Sequence, residues 1–339
     1  MKKLKLGGNN ILLAITVALF VIMYLGGCII YADKGFTHFQ TFLNVLINNA
    51  GLIAVAAGMT CVMLTGGIDI SVGSLIAMDC MLLAVGMEEW GMKSPVLMVI
   101  VLLIGLVFGL VQGFCVSYLE IQPFIVTMAG MFFARGMTAV ICKDQVSIVS
   151  DKLFTAISGA KIKIPFGGYM NKKGVYQVPF IRPTVIVALL VVIFVYLMLK
   201  YTKFGRSIYA VGGNQVSATL MGLNVRKTKL LTYTLSSFLT SIGGICYCLN
   251  TMCGTTTQAT GLEMDAISSA VIGGTLLTGG VGNVLGSLVG VLINGTISTL
   301  VKTNGKLVSS WANIITAILL CFFILLQAVF AKIKESKKA

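Results

Sequence analysis

Long apolar stretches follow one another along this chain, and they constrain its fold more than any other feature. They lie at 11–31, 42–64, 68–86, 95–118, 123–142, 184–200, 230–250, 264–280, 283–301 and 311–331. Each approaches the roughly 20 residues that an α-helix needs to cross the hydrocarbon core of a bilayer. Because lipid offers no hydrogen-bond partner to an open backbone, the sequence predicts an all-α polytopic membrane protein with about ten transmembrane helices. A single transmembrane domain over 1–339 uses the whole chain.

Composition agrees with a membrane protein, because only 11% of the residues are charged, against roughly 25% in soluble chains. The net charge of +14 is of a size that can indicate nucleic-acid binding. Its distribution favours the positive-inside rule instead, which places basic segments in the cytoplasm. The sequence therefore predicts a multi-pass membrane protein with both termini cytoplasmic. The basic clusters that support this are Lys2, Lys3, Lys5; Lys200, Lys203, Arg206, Arg226, Lys227, Lys229; and Lys332, Lys334, Lys337, Lys338.

Two connections between the apolar stretches are long. Residues 143–183 are polar and rich in Gly and Pro, and they fall outside the cell in this topology. Their basic residues, including the pairs Lys161/Lys163 and Lys172/Lys173, suggest either contact with an external partner or a solvated loop. Residues 201–229 are basic, contain no acid and fall inside, so we expect them to form a cytoplasmic loop.

A short amphipathic helix is predicted in the centre of 201–229. Asn214 is a suitable N-cap, and Val216, Leu220 and Leu223 fall on one helical face. Gly212–Gly213 and Gly222 bracket this segment. A helix of this kind outside the membrane either docks into a groove of a partner protein or rests on lipid headgroups.

One motif occurs twice. Leu-Thr-Gly-Gly at 64–67 returns at 277–280, and both copies continue to a Gly-Ser-Leu. Glycine disfavours a helix interior, so glycine-broken elements are expected near 65–69 and 278–282. Paired breaks in a membrane chain are typical of a transport path between related halves. Six predicted spans separate the copies, an even number, which places both on the same side. A parallel duplication, a re-entrant flanking segment and a local packing device all stay open, and we expect the breaks to line one path, with the Asp69 copy bearing on gating or on the solute.

Several chemistries have no support in the sequence. No phosphate-cradling G-x-x-x-x-G-K-[ST] motif is present, so ATP hydrolysis by this chain is not expected. With one histidine and nine cysteines without a C-x-x-C pattern, a metal site, a disulfide framework and a catalytic triad are not expected either. The chain is thus predicted to be no enzyme and to bind no cofactor. Leu25–Cys28 resembles a lipoprotein signal, although an uncleaved first span explains the same residues.

Ionisable residues within the apolar stretches are few, and such residues are functional candidates because hydrocarbon solvates them poorly. Asp69 either serves the solute path or caps the following helix, and Asp79 and Arg135 could pair as a structural lock. The neutral polar residues line a path for an uncharged solute or form interhelical hydrogen bonds. The candidate path residues are Asn48, Asn49, Thr65, Asp69, Ser71, Gln112, Thr127, Thr275, Thr278 and Asn294.

Four motifs, taken together and in order, resemble the permease subunits of bacterial ABC sugar importers of the ribose/galactose/xylose type. They are Thr-Gly-Gly-Ile-Asp-Ile-Ser-Val-Gly at 65–73, Gln-Pro-Phe-Ile-Val-Thr at 122–127, Phe-Gly-Arg-Ser-Ile-Tyr-Ala-Val-Gly-Gly-Asn at 204–214 and Ile-Gly-Gly-Thr-Leu-Leu-Thr-Gly-Gly-Val-Gly at 272–282. The resemblance covers about 42–330. Residues 263–274 with Ser309, Ser310 and Trp311 look most like the galactofuranose permease branch.

The resemblance implies a dimer of two permease subunits, either identical or merely similar, in the lipid bilayer. It also implies an ATP-binding subunit on the cytoplasmic face, which would use the ATP, and an extracytoplasmic sugar-binding protein outside. The family's coupling helix falls on about 214–223, which implicates Gly213, Asn214, Ser217, Ala218 and Gly222 in ATPase coupling. The alternative is an ion-coupled or facilitative secondary carrier of a small polar solute.

Overall fold

The computed structural model describes residues 8–170, 176–308 and 310–336. Several residues used in the sequence arguments lie outside this part of the chain: Lys2, Lys3, Lys5, Lys172, Lys173, Ser309, Lys337 and Lys338. Within it the chain is mostly helical, which confirms the all-α polytopic class. In chain order the helices are α1 Gly8–Ile30, α2 Phe39–Asn48, α3 Ala50–Leu64, α4 Val72–Glu88, α5 Ser94–Ser117, α6 Pro123–Ile141, α7 Lys152–Gly159, α8 Pro183–Tyr201, α9 Lys203–Gly213, α10 Gln215–Leu220, α11 Val225–Thr251, α12 Leu262–Ile272, α13 Val284–Asn304 and α14 Ser310–Ser336.

Seven of these helices are long and apolar enough to cross a membrane, and the α2–α3 pair, bent by 57°, makes an eighth span. The two remaining predicted spans are shorter helices. The span expected at 68–86 is α4, which has 17 residues and begins only at Val72 because the glycine-containing segment 65–71 is not helical.

The predicted span at 264–280 is not one continuous helix, because only its first part is helical. Helix α12 has 11 residues, or roughly 16 Å at 1.5 Å per residue, and it stops at Ile272. Gly273 and Gly274 follow, and Gly274 has a positive φ of 90°, a conformation that glycine adopts without steric cost. Non-helical chain then continues to Asn283. The structure thus confirms both glycine-broken elements that the repeat predicted.

Helix α3 lies at the centre of the bundle. All of its residues from Ala50 to Leu64 are buried, as expected of a helix that is apolar on every side. It packs against α8, α11, α12 and α13. Gly51 and Gly58 allow the closest approach to α11, because a side chain there would press on Gly243 and Ser236 respectively. Small residues at such crossings are typical of helix packing in membranes.

The bundle has two ends that differ in what they carry. One, here called the basic end, carries α9, α10 and the charged residues around them, with an exposed ion pair of 3.1 Å between Arg226 and Glu120. The opposite end carries the segment 142–182, whose β1 Val146–Ser147 pairs with β6 Cys253–Gly254. The same segment contains two more two-residue ladders, β2 Ile162–Lys163 with β5 Phe180–Ile181 and β3 Tyr169–Met170 with β4 Tyr176–Gln177.

Asp151 fastens this segment to the bundle. Its carboxylate caps α7 by accepting the Phe154 N–H at 2.7 Å, and it also accepts the Ser94 N–H and hydroxyl, each at 3.0 Å. Burial alone would raise the pKa of Asp151, but these donors outweigh it and hold the pKa below its usual value. The start of α5 and the start of α7 are therefore joined through one carboxylate.

Candidate functional site

The two Thr-Gly-Gly copies, far apart in sequence, touch each other at the basic end. The backbone N–H of Gly280 donates to the carbonyl oxygen of Leu64 at 2.9 Å, and Gly66 lies beside the carbonyl of Thr278. Both copies therefore lie on the same side, as the even number of intervening spans predicts. We call these segments the first motif loop (65–71) and the second motif loop (273–283).

Glycine is required in both motif loops by the backbone conformation. Gly66, Gly279 and Gly280 have φ values of 78°, 85° and 74°, in the left-handed region where a side chain costs about 1–2 kcal/mol. A third glycine pair, Gly212–Gly213 at the end of α9, packs onto the same place. The sequence identified the two motif loops as related, but it gave no signal that the Gly212–Gly213 pair joins them.

Asp69, within the first motif loop, is fully buried. One carboxyl oxygen accepts the Ser71 hydroxyl at 2.6 Å and the Ser71 N–H at 3.1 Å, and the other accepts the Ser236 hydroxyl of α11 at 3.4 Å. The Gln112 amide of α5 donates to the Ser71 hydroxyl at 3.0 Å. Asp69 therefore fixes the turn that precedes α4 and links that turn to α5 and α11, which is close to the capping role considered from the sequence.

A second polar cluster joins α12 to α13. The Asn294 amide donates to the hydroxyls of Ser268 and Ser269 at 3.0 and 2.9 Å. Nearby, the hydroxyls of Thr60 and Ser287 lie 2.7 Å apart and tie α3 to α13. These side chains form interhelical hydrogen bonds. That is one of the two roles that the sequence analysis left open for the neutral polar residues, the other being a solute path.

The remaining candidate path residues differ in their surroundings. Asn48 and Thr278 are exposed, whereas the others are buried or half-buried. Three of the latter bond to their own helix: Asn49 to the Val45 carbonyl at 2.7 Å, Thr65 to the Val62 carbonyl at 2.7 Å and Thr127 to the Pro123 carbonyl at 2.9 Å. Thr275 is buried, and no hydrogen-bond partner for its hydroxyl is found among the described residues. Their assignment to a solute path stays a prediction.

Arg135 and Asp79 do not pair, so the predicted lock between them is wrong. The Arg135 guanidinium donates to the carbonyls of Thr256 and Gln258 at 2.9 and 2.8 Å, and it thereby holds the loop before α12 against α6. Asp79 is buried on α4 beside Gly244, and its carboxyl oxygens have no hydrogen-bond partner within the described residues.

The predicted amphipathic helix is α10, and Asn214 caps it by accepting the Ser217 N–H at 2.9 Å. It is shorter than predicted, because it ends at Leu220 and leaves Leu223 outside the helix. Ala218 is buried against the rest of the chain, whereas Val216 and Leu220 are 70% and 83% exposed. The outward apolar face is therefore Val216 with Leu220, which the sequence placed on one face but did not single out for coupling. The assignment of Gly213, Asn214, Ser217, Ala218 and Gly222 to ATPase coupling stays a prediction.

A groove of about 1050 Å³ runs between α5 and α6. Its lining is almost entirely apolar, with Phe108 and Phe133 on its walls and Gln112 as a polar contributor. A sugar buried there would leave most of its hydroxyl groups without partners, which is costly. The groove therefore suits apolar chains rather than a sugar.

Buried polar clusters between spans, two broken membrane segments that meet and a capped helix outside the bundle define a polytopic membrane transport protein. Residues 41–324 match the family described as "Branched-chain amino acid transport system / permease component", so the chain belongs to this family of permease components. The members are permeases and not enzymes, which confirms that ATP hydrolysis is not a property of this chain.

Curated relatives cover nearly the whole chain. The "inner membrane ABC transporter permease protein YjfF" of Escherichia coli K12 is 38% identical over 98% of this chain and 96% of its own length. The "fructose import permease protein FruG" of Bifidobacterium longum is 35% identical over 99% and 96%. The "ribose import permease protein RbsC" of E. coli K12 is 32% identical over 83% and 84%. No solved structure matches this chain.

Proposed function

We propose that this chain is the transmembrane permease subunit of an ATP-binding-cassette importer that moves a monosaccharide across a bacterial inner membrane. The observation that carries the proposal is the uncovered apolar face of α10, outside the bundle and next to the two motif loops. The names of the relatives, which include fructose and ribose import permeases, support a sugar as cargo.

The α10 face has the properties of a docking surface for an ATP-binding subunit. Val216 and Leu220 are one helical turn apart and both exposed, and exposed apolar pairs on a helix indicate a partner groove. Next to them lies a polar pocket of about 730 Å³ between the α5–α6 turn and the start of α11. Glu120 and Arg226 line this pocket, so the partner would meet charged groups around an apolar centre.

The basic end is proposed to face the cytoplasm, because Lys and Arg concentrate there. The segment 142–182 then lies outside, where a sugar-binding protein would dock. Its exposed side chains include Phe166, Met170 and Tyr176, a mixture of aromatic and flexible apolar groups of the kind found at protein interfaces. A second permease subunit would complete the transporter.

The finer proposal for the cargo is galactofuranose. Residues 263–274, which comprise α12 from its second residue onward and the two glycines that follow it, carry the resemblance to that branch together with Ser309, Ser310 and Trp311. Uptake assays should compare labelled galactofuranose with fructose and ribose. Preferential uptake of either other sugar would overturn the galactofuranose proposal and leave the importer proposal intact.

The importer proposal is tested by co-purification with a candidate ATP-binding subunit from the same organism. Replacing Val216 or Leu220 with Asp should abolish co-purification, because a charge would be buried in the partner groove. Leu307→Asp is the control, since Leu307 is exposed at the opposite end. The proposal fails if the purified chain alone moves sugar down a gradient at transporter rates, which is the behaviour of a secondary carrier.

A further inference from the structure

Glycines from three distant parts of the chain converge at the basic end. Gly66 follows α3, Gly212–Gly213 ends α9, and Gly279–Gly280 lies between α12 and α13. We call this convergence the glycine junction. No side chain separates the three backbones there, so they touch directly.

Gly212 is the centre of the glycine junction. A methyl group on Gly212 would overlap the carbonyl oxygen of Leu64 and would come within 2.5 Å of the Gly280 nitrogen. These are the two atoms of the hydrogen bond that joins the first and second motif loops. The end of α9 therefore lies directly against the bond that holds both loops together.

Helix α9 makes a second contact with the second motif loop. The Tyr209 hydroxyl, one turn before Gly212, donates to the Gly282 carbonyl at 3.0 Å. On its other side α9 continues into α10 through the single residue Asn214, which caps α10. No flexible linker separates α10 from α9, so a displacement of α10 is transmitted through α9 to the motif loops.

We propose that Gly212 is a positioning residue that makes α10, α9 and the two motif loops move as one body. Docking or release of the ATP-binding subunit on α10 would then shift both loops together, at the cytoplasmic ends of the central helix α3 and of α13. This inference rests on the proposed role of α10 in docking that subunit. Because Gly212 has no side chain, its backbone packs directly against the backbone of the two motif loops. Elements packed in this way shift between discrete arrangements rather than deform continuously.

The chain provides a control in a helical glycine outside the glycine junction. Gly212→Ala introduces the overlap described above, whereas an added methyl group at Gly136 of α6 meets nothing within 4 Å. In the full transporter reconstituted in vesicles, we expect Gly212→Ala to keep the ATP-binding subunit bound but to lower the stimulation of MgATP hydrolysis by the sugar-binding protein about tenfold, within the usual range of coupling between sites. Gly136→Ala should behave like the wild type. Equal stimulation in both variants would overturn the proposal.

A measurement on the permease alone separates this inference from the proposed function. Spin labels at the exposed positions Val216 and Thr278 report the distance between α10 and the second motif loop. We expect a narrow distance distribution in the wild type and in Gly136→Ala, and a broad one in Gly212→Ala. Tyr209→Phe, a milder change, should broaden it partly. Narrow distributions in all variants would refute the rigid junction, whether or not an ATP-binding subunit docks on α10. If Gly212→Ala broadens the distribution but no ATP-binding subunit docks on α10, the rigid junction is supported and only the importer role is refuted.

Discussion

Substitutions at Asp69 can separate the hydrogen-bonding role of a buried acid from the role of its charge, because asparagine differs from aspartate only in one side-chain group. In Asp69→Asn the remaining carbonyl oxygen can still accept both hydrogen bonds from Ser71, at 2.6 and 3.1 Å, while the charge is lost. In Asp69→Ala both acceptors disappear and the Ser71 groups stay buried without partners. Comparing the two variants therefore isolates the charge.

The expected magnitudes follow from these bonds. Hydrogen bonds to a charged acceptor contribute about 1.5–3 kcal/mol each, and an orphaned buried donor costs about 1–3 kcal/mol. For Asp69→Ala we expect a loss of about 3 kcal/mol, on the order of 5–10 °C in thermal unfolding. For Asp69→Asn we expect less than about 1 kcal/mol and continued sugar uptake.

The assay pairs thermal unfolding in detergent with sugar uptake by reconstituted vesicles. Asp69→Asn should resemble the wild type in both measurements. A variant that unfolds at the wild-type temperature but transports nothing would refute the structural role. That outcome would show that the charge itself is used, and it would favour the ion-coupled carrier over the ATP-driven importer.

Two further predictions concern the ends and the crossings of the bundle. Because hydrogen bonds hold the pKa of Asp151 below its usual value, its contribution to the stability of residues 146–160 should be complete above about pH 5 and decline as the pH falls below about 4. Hydrogen exchange of that segment measures this, and Asp151→Asn should reduce the pH dependence. The remainder comes from Glu88, whose carboxylate accepts the Val149 and Ser150 N–H groups. Gly290→Ala should lower the thermal stability by about 1–3 kcal/mol, because the methyl group would overlap the Ser269 carbonyl. Gly26→Ala should leave the thermal stability unchanged, because the methyl group there meets nothing within 4 Å. Equal unfolding temperatures for the two variants would contradict the packing argument.

Much of the fold could be predicted from local signals. Apolar length located most spans, since a bilayer fixes the length of a crossing helix. The cap at Asn214 and the breaks in the two motif loops also follow from local residue types. Helix α12 was predicted too long because apolar residues continue past Ile272, and apolar content alone does not show whether a crossing segment is helical.

The contacts between distant segments could not be predicted. The sequence suggested Asp79 as the partner of Arg135, yet Arg135 binds the Thr256 and Gln258 carbonyls, and a backbone acceptor leaves no trace in residue identity. Gly212 has the same limitation. Its significance lies in the Leu64 carbonyl against which it packs, and that neighbour is set by the path of the whole chain.

The burial of α3 has a consequence for the biosynthesis of this protein. Helix α3 ends at Leu64, but the helices that enclose it, α8, α11, α12 and α13, lie after Pro183 in the chain. During synthesis α3 therefore leaves the insertion machinery with its whole circumference against lipid, and it exchanges that lipid for protein only when the second half of the chain arrives. In a chain interrupted before α11, Gly51 and Gly58 would lack the α11 residues that they pack against. Such an incomplete chain would be exposed to membrane proteases.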